Sequence, residues 1–202
     1  MIIGITGKAG SGKSYIAKYL CERFKYKYIN ADEVAHVMYA DPYSLATMLI
    51  KEEFGDKVMR FDEGWYEDVV DRTKLGQLVF KSKVQMNKLN KLMLPLIEWR
   101  IGHTIMEYTK QPVNMVIDGA LLTQTNIVQY CDIVVVVDAI RNVRLRRLTN
   151  KRDVDEKIAN KMVDAVKIVL KTKDLKKIIY IQNNDDGFIP QRINDWEEYS
   201  KI

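Results

Sequence analysis

Residues 7–14, Gly-Lys-Ala-Gly-Ser-Gly-Lys-Ser, constrain this chain more than any other stretch, because they match the phosphate-binding loop pattern G-x-x-x-x-G-K-[ST]. The apolar segment before them, residues 1–6, predicts a strand, and the apolar positions within 15–21 recur at helical spacing. The loop therefore stands between a strand and a helix, where backbone N–H groups and a helix N-terminus can bind phosphate. This arrangement predicts an α/β protein that binds a nucleotide.

The polar side chains of the loop have predicted roles. Lys13 is expected to lie against the β- and γ-phosphates of a nucleotide, and Ser14 to place its hydroxyl on Mg²⁺. Glycines let the main chain approach the phosphates closely and adopt positive φ values. The predicted nucleotide-binding residues of this segment are Gly7, Gly10, Ser11, Gly12, Lys13, Ser14 and Tyr15.

Carboxylates follow two further predicted strands, residues 25–30 and 113–118. Asp32 comes just past the first strand, and Asp118 ends the second. Open α/β sheets bind ligands at the carboxyl ends of their strands, so both are candidate site residues, and Asp118 would hold Mg²⁺ through water. The alternatives are a helix N-cap or first-turn charge for Asp32 and a strand-terminal turn for Asp118.

Two more strands complete the predicted sheet. Residues 132–138 form a continuous β-branched run, which is typical of a parallel strand buried on both faces. Residues 177–184 predict the last strand, and a closing helix that carries Trp196 is expected after it. The order of elements predicts an α/β fold with helices on both faces of the sheet.

The segment between the second and third strands, residues 36–109, has an almost wholly helical pattern, and no strand is predicted inside it. We expect an acceptor-binding insertion, although helical packing alone explains its Leu, Met and Trp content equally well. Arg72 is a candidate for binding a substrate phosphate, with a solvated helix face as the alternative. The breaks in the helical pattern fall at Asp41-Pro42, Gly55, 62–64 and Pro95.

Residues 141–152 are the most basic stretch of the chain and predict a short helix that enters a mobile segment. Arg144 and Arg147 lie one turn apart on one helix face. Arginines that close over a phosphate-binding loop stabilise charge on a transferring phosphoryl group, whereas a nucleic-acid patch would carry interleaved aromatic residues, and none is present here. Residues 150–153 match a guanine-reading motif, but the absence of D-x-x-G from the sequence argues against a GTPase.

Composition sets further limits. The chain has 202 residues, 47% of them hydrophobic, and a net charge of +5, which suits polyphosphate ligands as well as nucleic acid. No apolar run approaches the ~20 residues of a membrane helix, so we expect a cytoplasmic protein without a membrane partner. Cys21 and Cys131 stand in apolar patterns and are expected to be reduced thiols, and no metal-ligand cluster is found in the sequence.

In order and spacing, these residues resemble the dephospho-coenzyme A kinases, a family of P-loop kinases, over most of the chain. The resemblance implies a P-loop NTPase-type three-layer α/β fold with a parallel five-stranded sheet, a helical acceptor-binding insertion and a lid. It implies a single kinase domain, residues 1–202, with a nucleotide-binding core (1–31 and 110–202), an acceptor subdomain (32–109) and a lid (about 141–172). The matching segments are residues 4–14, 31–32, 71–75, 79–80, 95–97, 121–122, 132–137, 144–152 and Asn183.

The family transfers the γ-phosphate of ATP to the ribose 3′-hydroxyl of dephospho-coenzyme A, so ATP, Mg²⁺ and a small-molecule substrate are implied here. The implied catalytic residues are Lys13, Asp32, which matches the acid that accepts the hydroxyl proton, and Arg147. Arg144 and Arg147 would make lid contacts, and Asn183 would lie beside the adenine of ATP. A monomer or weak homo-oligomer is expected. The acceptor-binding residues would be Thr6, Asp32 and Arg72.

The chain departs from the family pattern on the acceptor and lid sides. Asn30 stands where a first Asp is usual, Leu94 where a His commonly precedes the Pro, and Gly119-Ala120 where a Pro precedes Leu-Leu. A Gln expected near 165–167 is also missing. A nucleoside or deoxynucleoside monophosphate kinase therefore stays open as an alternative. A nucleic-acid-binding ATPase module that uses the basic stretch is the weaker alternative.

Overall fold

The structure is a computed structural model that describes residues 1–108, 113–152, 155–165 and 177–184. The strands are β1 (Ile2–Gly7), β2 (Lys27–Asn30), β3 (Met59–Asp62), β4 (Glu67–Val70), β5 (Met115–Asp118), β6 (Ile133–Asp138) and β7 (Ile178–Gln182). The helices are α1 (Lys13–Phe24), α2 (Ala31–Ala40), α3 (Leu45–Phe54), α4 (Arg72–Val79), α5 (Lys83–Tyr108), α6 (Arg141–Arg152) and α7 (Glu156–Ala165). Short 3₁₀ turns lie at Asp56–Val58, Leu122–Gln124 and Asn126–Tyr130.

Five strands form a parallel sheet in the order β2-β5-β1-β6-β7. The central strand, β1, places Ile5 opposite Asp118 of β5 and Val135 of β6. At one edge β2 pairs with β5, so Asn30 is also opposite Asp118. Because the strands are parallel, their carboxyl ends meet at one edge of the sheet, where β1 leads into the phosphate-binding loop. The predicted α/β fold and five-stranded parallel sheet are confirmed.

The core of the sheet fixes both ends of the loop. Each residue from Ile133 to Val137 is at most 5% exposed, which confirms that the β-branched run is buried on both faces. Ile16 and Leu20 of α1 are fully buried in the same cluster as Ile5 of β1. Burying an aliphatic side chain of this size contributes about 2 kcal/mol. The strand before the loop and the helix after it are therefore held in one rigid core.

The segment between β2 and β5 contains an antiparallel hairpin, β3 and β4, so the prediction that residues 36–109 hold no strand is wrong. Met59 pairs with Val70, and Asp62 pairs with Glu67. Each strand has only four residues and mixes polar with apolar side chains, so its alternating signal is short. The glycine in the turn between the strands indicates, from the sequence alone, only a break in a helix.

Helix α5 runs through Pro95, where the sequence pattern predicted a break. A proline inside a helix removes one backbone hydrogen bond and crowds the preceding turn. The helix nevertheless continues over 26 residues, because its side chains pack into two cores. Met93 lies in the core formed with α2, α3 and α4, whereas Ile101 and Ile105 pack with β2 and β5. Tertiary packing here outweighs the local cost of the proline.

Part of the predicted lid and the end of the chain lie outside the described residues. Helices α6 and α7 cover the predicted lid as far as residue 165, and the predicted closing helix with Trp196 is not described. Cys21 is partly buried and Cys131 is buried, and neither forms a disulfide within the described residues. No helix among the described residues is long and apolar enough to cross a membrane.

Candidate active site

The loop of residues 7–14 is shaped to bind an anion. Gly10 and Gly12 have φ values of 76° and 89°, in the left-handed region that residues with a Cβ rarely adopt. Gly12 is the N-cap of α1, and within the described residues no side chain caps this end. The first N–H groups of the helix, with their partial positive charge, are therefore available to a phosphate.

Lys13 is the lysine of the loop that is available to a phosphate. It is only 7% exposed, and the described part of the chain offers its ammonium group no hydrogen-bond partner. A buried ammonium without an anion beside it is unfavourable, so the site favours a negatively charged ligand. Lys8 of the same loop instead forms an ion pair with Asp138 at 3.6 Å.

The back of the loop is held by Arg147 and Asn183. Arg147 Nη1 donates to the main-chain oxygen of Asn183 at 2.9 Å and lies 3.3 Å from that of Ser11. The Asn183 side-chain nitrogen donates to the same Ser11 oxygen at 2.8 Å. Asn183 Oδ1 and Ser11 Oγ are buried and have no partner among the described residues, so both remain available to a ligand.

Arg144 joins α6 and α7 to the loop. Its guanidinium donates from Nε to the Ala139 oxygen at 2.9 Å and from Nη1 to the Val163 oxygen at 2.8 Å, and the side chain is 5% exposed. Its main chain packs against Gly10, where an added Cβ would collide with the Arg144 oxygen. In this structure Arg144 and Arg147 both contact backbone carbonyls, and their lid contacts with the nucleotide stay predictions.

Three hydroxyl and carboxylate groups meet beside the loop. Asp118 is 1% exposed, its Oδ2 accepts a hydrogen bond from the Tyr28 hydroxyl at 3.0 Å, and its Oδ1 is buried without a partner among the described residues. The Ser14 hydroxyl lies within hydrogen-bonding reach of the Tyr28 oxygen. Burial and the Asp118 charge raise the pKa of Tyr28 well above its usual range, so the phenol remains a neutral donor.

No group of three or more His, Cys, Asp or Glu side chains that could hold a metal occurs in the described ranges. The Ser14 hydroxyl and the Asp118 carboxylate nevertheless offer oxygen atoms at the phosphate-binding loop and at the end of β5. Mg²⁺ is commonly bound by one or two protein oxygens together with substrate phosphates and water. The donor set therefore fits a magnesium ion that arrives with a nucleotide.

Asp32 lies in the first turn of α2, and Asn30 is the N-cap of that helix. Asn30 Oδ1 accepts hydrogen bonds from the main-chain N–H groups of Asp32 at 2.9 Å and Glu33 at 3.3 Å. The Asp32 side chain is exposed, and its carboxylate makes no hydrogen bond or ion pair with any residue that the structure describes. Asn30, which stands where the family usually has an Asp, thus caps α2, and the Asp32 carboxylate remains available to a substrate.

Arg72 is the first residue of α4. Its charge and that of Asp32 both affect the pKa values of His36 and Tyr39 on α2, in opposite directions. Burial and the Arg72 charge lower the pKa of His36, against the opposing effect of Asp32. Burial and the Asp32 charge raise the pKa of Tyr39 to about 12. Arg72 makes no hydrogen bond or ion pair within the described part of the chain. The Arg72 cation and the Asp32 carboxylate therefore both influence the same face of α2, and neither is neutralised by a described residue.

A small apolar recess of about 60 Å³ opens beside Asp32. Leu94, Gly119 and Ala120, three positions where the chain departs from the family pattern, line it together. Thr6 is fully buried, and its hydroxyl donates to the Ala120 oxygen at 3.2 Å. Thr6 therefore ties the end of β1 to the wall of the recess, and its predicted contact with the acceptor stays a prediction.

The sequence analysis missed Tyr28, His36 and Tyr39. A signal for two of them exists, because His36 and Tyr39 follow Asp32 by four and seven residues, which places them on one helix face. Tyr28 gives no such signal, since its contact with Asp118 depends on the pairing of β2 with β5. Tyr15, predicted with the loop, is 59% exposed near the start of α1.

A parallel sheet with a phosphate-binding loop after its central strand, and a mostly helical insertion between β2 and β5, is the fold of a P-loop kinase. One solved structure of this fold is the dephospho-CoA kinase from Campylobacter jejuni. It aligns with a TM-score of 0.56 and 18% identity, and the match covers 99% of this chain and 96% of that chain.

The family follows from the sequence comparisons. The family model for dephospho-CoA kinase matches residues 1–186. The dephospho-CoA kinase of Thermobifida fusca is 28% identical over 200 residues, covering 98% of this chain and 96% of the relative. That of Oceanobacillus iheyensis is 30% identical over 185 residues, covering 91% and 89%. The chain belongs to the dephospho-CoA kinase family, and its activity is the ATP-dependent phosphorylation of dephospho-CoA to CoA.

Proposed function

We propose that the chain transfers the γ-phosphoryl group of Mg²⁺-ATP to the ribose 3′-hydroxyl of dephospho-CoA, with Asp32 accepting the hydroxyl proton. The observation that carries the proposal is the position of two charges at one edge of the sheet, the Lys13 ammonium and the Asp32 carboxylate, neither of which has a partner among the described residues. They follow β1 and β2, which flank β5, so the strand ends lie roughly 10 Å apart. This separation leaves room for a phosphoryl group and an alcohol.

The nucleotide would lie with its triphosphate in the loop. Backbone N–H groups and Lys13 would contact the β- and γ-phosphates. Asn183 Oδ1 is buried without a partner among the described residues and could accept a hydrogen bond from the adenine amino group. Arg147, predicted as catalytic, acts in this proposal by holding the loop that carries the phosphates.

Magnesium would be held by the Ser14 hydroxyl and, through water, by Asp118. The buried Oδ1 of Asp118 is the acceptor that the site leaves open for this purpose. When bound, the ion neutralises negative charge on the β- and γ-oxygens of ATP. Ser14 and Asp118 orient it from the ends of the loop and of β5.

The acceptor would bind through residues of the 32–109 segment, which we propose as the acceptor subdomain. Arg72 is available to the diphosphate of dephospho-CoA, because no described residue neutralises it. The recess at Leu94, Gly119 and Ala120 would take an apolar part of the acceptor next to the reacting ribose.

The proposed transfer exchanges one phosphorus–oxygen bond for another. The 3′-oxygen bonds to the γ-phosphorus as the bond from that phosphorus to the β,γ-bridging oxygen breaks, and ADP leaves. The proton of the 3′-hydroxyl passes to Asp32. General-base catalysis of this kind contributes about 10²- to 10⁴-fold in rate.

A coupled assay of ADP release with ATP and Mg²⁺ tests the proposal. Its three arms contain dephospho-CoA, dAMP or no acceptor, and ³¹P NMR of the product locates the new phosphate. We expect ADP release to require dephospho-CoA and the phosphate to lie at the 3′ position. A preference for dAMP would instead favour a nucleoside monophosphate kinase. ATP hydrolysis that no acceptor changes, with salt-sensitive oligonucleotide binding, would favour the nucleic-acid module.

A cytoplasmic location and a monomeric or weakly oligomeric state remain part of the proposal. Light scattering coupled to size-exclusion chromatography over a range of protein concentrations tests the oligomeric state. A mass that stays at one 23.5 kDa chain, or rises only at high concentration, is expected.

A further inference from the structure

Tyr28 occupies a position from which it can reach two residues of the proposed magnesium site. It lies in β2 opposite Val116, and Asp118 comes two residues further along β5 on the same face of the sheet. The Tyr28 side chain reaches diagonally from β2 to Asp118 on β5, and its hydroxyl donates to Asp118 Oδ2 at 3.0 Å. The Ser14 hydroxyl lies within hydrogen-bonding reach of the same phenol oxygen.

The two oxygens of Asp118 are therefore not equivalent. Tyr28 uses Oδ2, while Oδ1 is buried and has no partner within the described residues. A carboxylate that is hydrogen-bonded through one oxygen has its side-chain rotation restricted, so the direction of the other oxygen is fixed. Because a carboxylate oxygen can only accept a hydrogen bond, the Tyr28 hydroxyl is the donor in this contact.

We infer that Tyr28 is a positioning residue of the metal site: it fixes Asp118 Oδ1 and the Ser14 hydroxyl in the directions that bind Mg²⁺ and its water. This inference rests on the proposed magnesium site. Tyr28 does not contact the ion or the phosphates, and it acts through Asp118 and Ser14. Its removal should weaken the binding of metal–nucleotide and leave the binding of metal-free nucleotide unchanged.

The test compares Tyr28→Phe with Tyr26→Phe. Both variants remove one phenol hydroxyl from neighbouring positions, but Tyr26 packs against Phe24, and its hydroxyl has no hydrogen-bond partner in the described part of the chain. Binding of a fluorescent ADP analogue is measured with Mg²⁺ and with EDTA, and Mn²⁺ binding to the ADP complex is followed by electron paramagnetic resonance. Thermal unfolding reports on the fold of each variant.

For Tyr28→Phe we expect the affinity for the Mg²⁺ complex to fall about tenfold, the size of one hydrogen bond to a charged group, with no change in EDTA. The affinity for Mn²⁺ should fall in parallel, and Tyr26→Phe should match the wild type in both. Equal losses with Mg²⁺ and EDTA, or no loss in either, would overturn the inference. If Tyr28→Phe does not fold, Tyr28→Val, which suits a strand and also lacks the donor, replaces it.

Asp118→Asn separates this inference from the proposed magnesium site itself. If Asp118→Asn weakens Mn²⁺ binding but Tyr28→Phe does not, the metal site stands and the positioning role of Tyr28 fails. If neither variant changes Mn²⁺ binding, the metal site is wrongly assigned, and the role of Tyr28 fails with it.

Discussion

The guanidinium of Arg147 donates to the main-chain oxygen of Asn183 at 2.9 Å, and this contact joins α6 to the end of β7 directly behind the phosphate-binding loop. The Asn183 side chain in turn donates to the Ser11 oxygen at 2.8 Å. The loop is thus supported by two side chains that lie 136 and 172 residues from Ser11 in the sequence. The shape of the loop therefore depends on Arg147 and Asn183, which are distant in the sequence, as well as on its own glycines.

Arg147→Met should therefore reduce both stability and nucleotide binding. The substitution keeps an apolar stem of similar length but leaves the buried main-chain oxygen of Asn183 without the Arg147 donor, at a cost of about 2 kcal/mol in the free energy of unfolding. Urea denaturation and ADP titration measure the two effects. Arg146→Met, at the exposed neighbouring position, is the control and should change both by much less.

Lys13→Ala should abolish phosphoryl transfer while the fold is retained. The Lys13 ammonium bonds to no described residue, so we expect its loss to remove a contact with the nucleotide and no contact among the described residues. Steady-state kinetics and thermal unfolding measure activity and fold. Lys8→Ala breaks only the partly exposed pair with Asp138, worth at most about 1 kcal/mol, and should keep most of the activity. Near-normal turnover of Lys13→Ala would refute the assignment of the loop.

Asp32→Asn should lower kcat by about 10² or more, following the size of general-base effects, with little change in ATP affinity. Glu33→Gln is a matched control, because Glu33 lies in the same first turn of α2 and experiences the same helix dipole. Rapid-quench kinetics and ATP titration distinguish the outcomes. Equal effects of the two substitutions, or a loss of ATP affinity without a loss of turnover, would show that Asp32 is structural.

Gly12→Ala should abolish nucleotide binding, whereas Gly55→Ala should affect stability alone. Both glycines have positive φ, at 89° and 75°, so both substitutions strain the backbone. A Cβ at Gly12 would also collide with the Asn183 side-chain nitrogen, whereas a Cβ at Gly55 meets nothing within 4 Å. Thermal unfolding should report destabilisation in both variants, and ADP titration should report a loss only for Gly12→Ala.

The thiol of Cys21 should be slow to react with iodoacetamide in the folded protein. Burial, and then the charge of Glu22, raise its pKa from 9.0 to about 11, so little thiolate forms at pH 9. Because the folded pKa is higher than the unfolded one, the stability linked to this thiol is present below pH 9.0 and lost as the pH rises towards about 11. Peptide mapping by mass spectrometry separates Cys21 from Cys131 and compares folded with urea-unfolded protein. Equal rates at pH 9 would contradict the shift.

Local patterns predicted the nucleotide side of this protein well. The loop, its flanking strand and helix, and the buried run at 132–138 each depend on residues that are adjacent in the sequence. The hairpin of β3 and β4 was missed because its four-residue strands carry too little periodicity. The continuation of α5 through Pro95 was missed because packing against two cores, which decides it, is not visible in the local sequence.

The residues of the candidate site divide in the same way, into those that local sequence identifies and those that depend on tertiary contacts. Lys13, Ser14, Asp32 and Asp118 could be selected because each follows or ends a recognisable element. The contact of Tyr28 with Asp118 and the burial of Arg144 could not, because they depend on the order of strands and on the side of α6 that faces the loop. Helical spacing places two arginines on one face but does not say what that face contacts.

Helix α6 is attached to the phosphate-binding loop, and this attachment limits which parts of the protein can move when substrates bind. Ala9 of the loop packs against the core formed by Leu148, Ala159 and Val163, so a rigid movement of α6 and α7 away from the loop would break this contact. If α6 and α7 moved away before ATP bound, the phosphate-binding loop would lose this support. We therefore expect movement between open and closed forms mainly in the segment proposed to bind the acceptor, while the phosphate-binding loop stays preorganised.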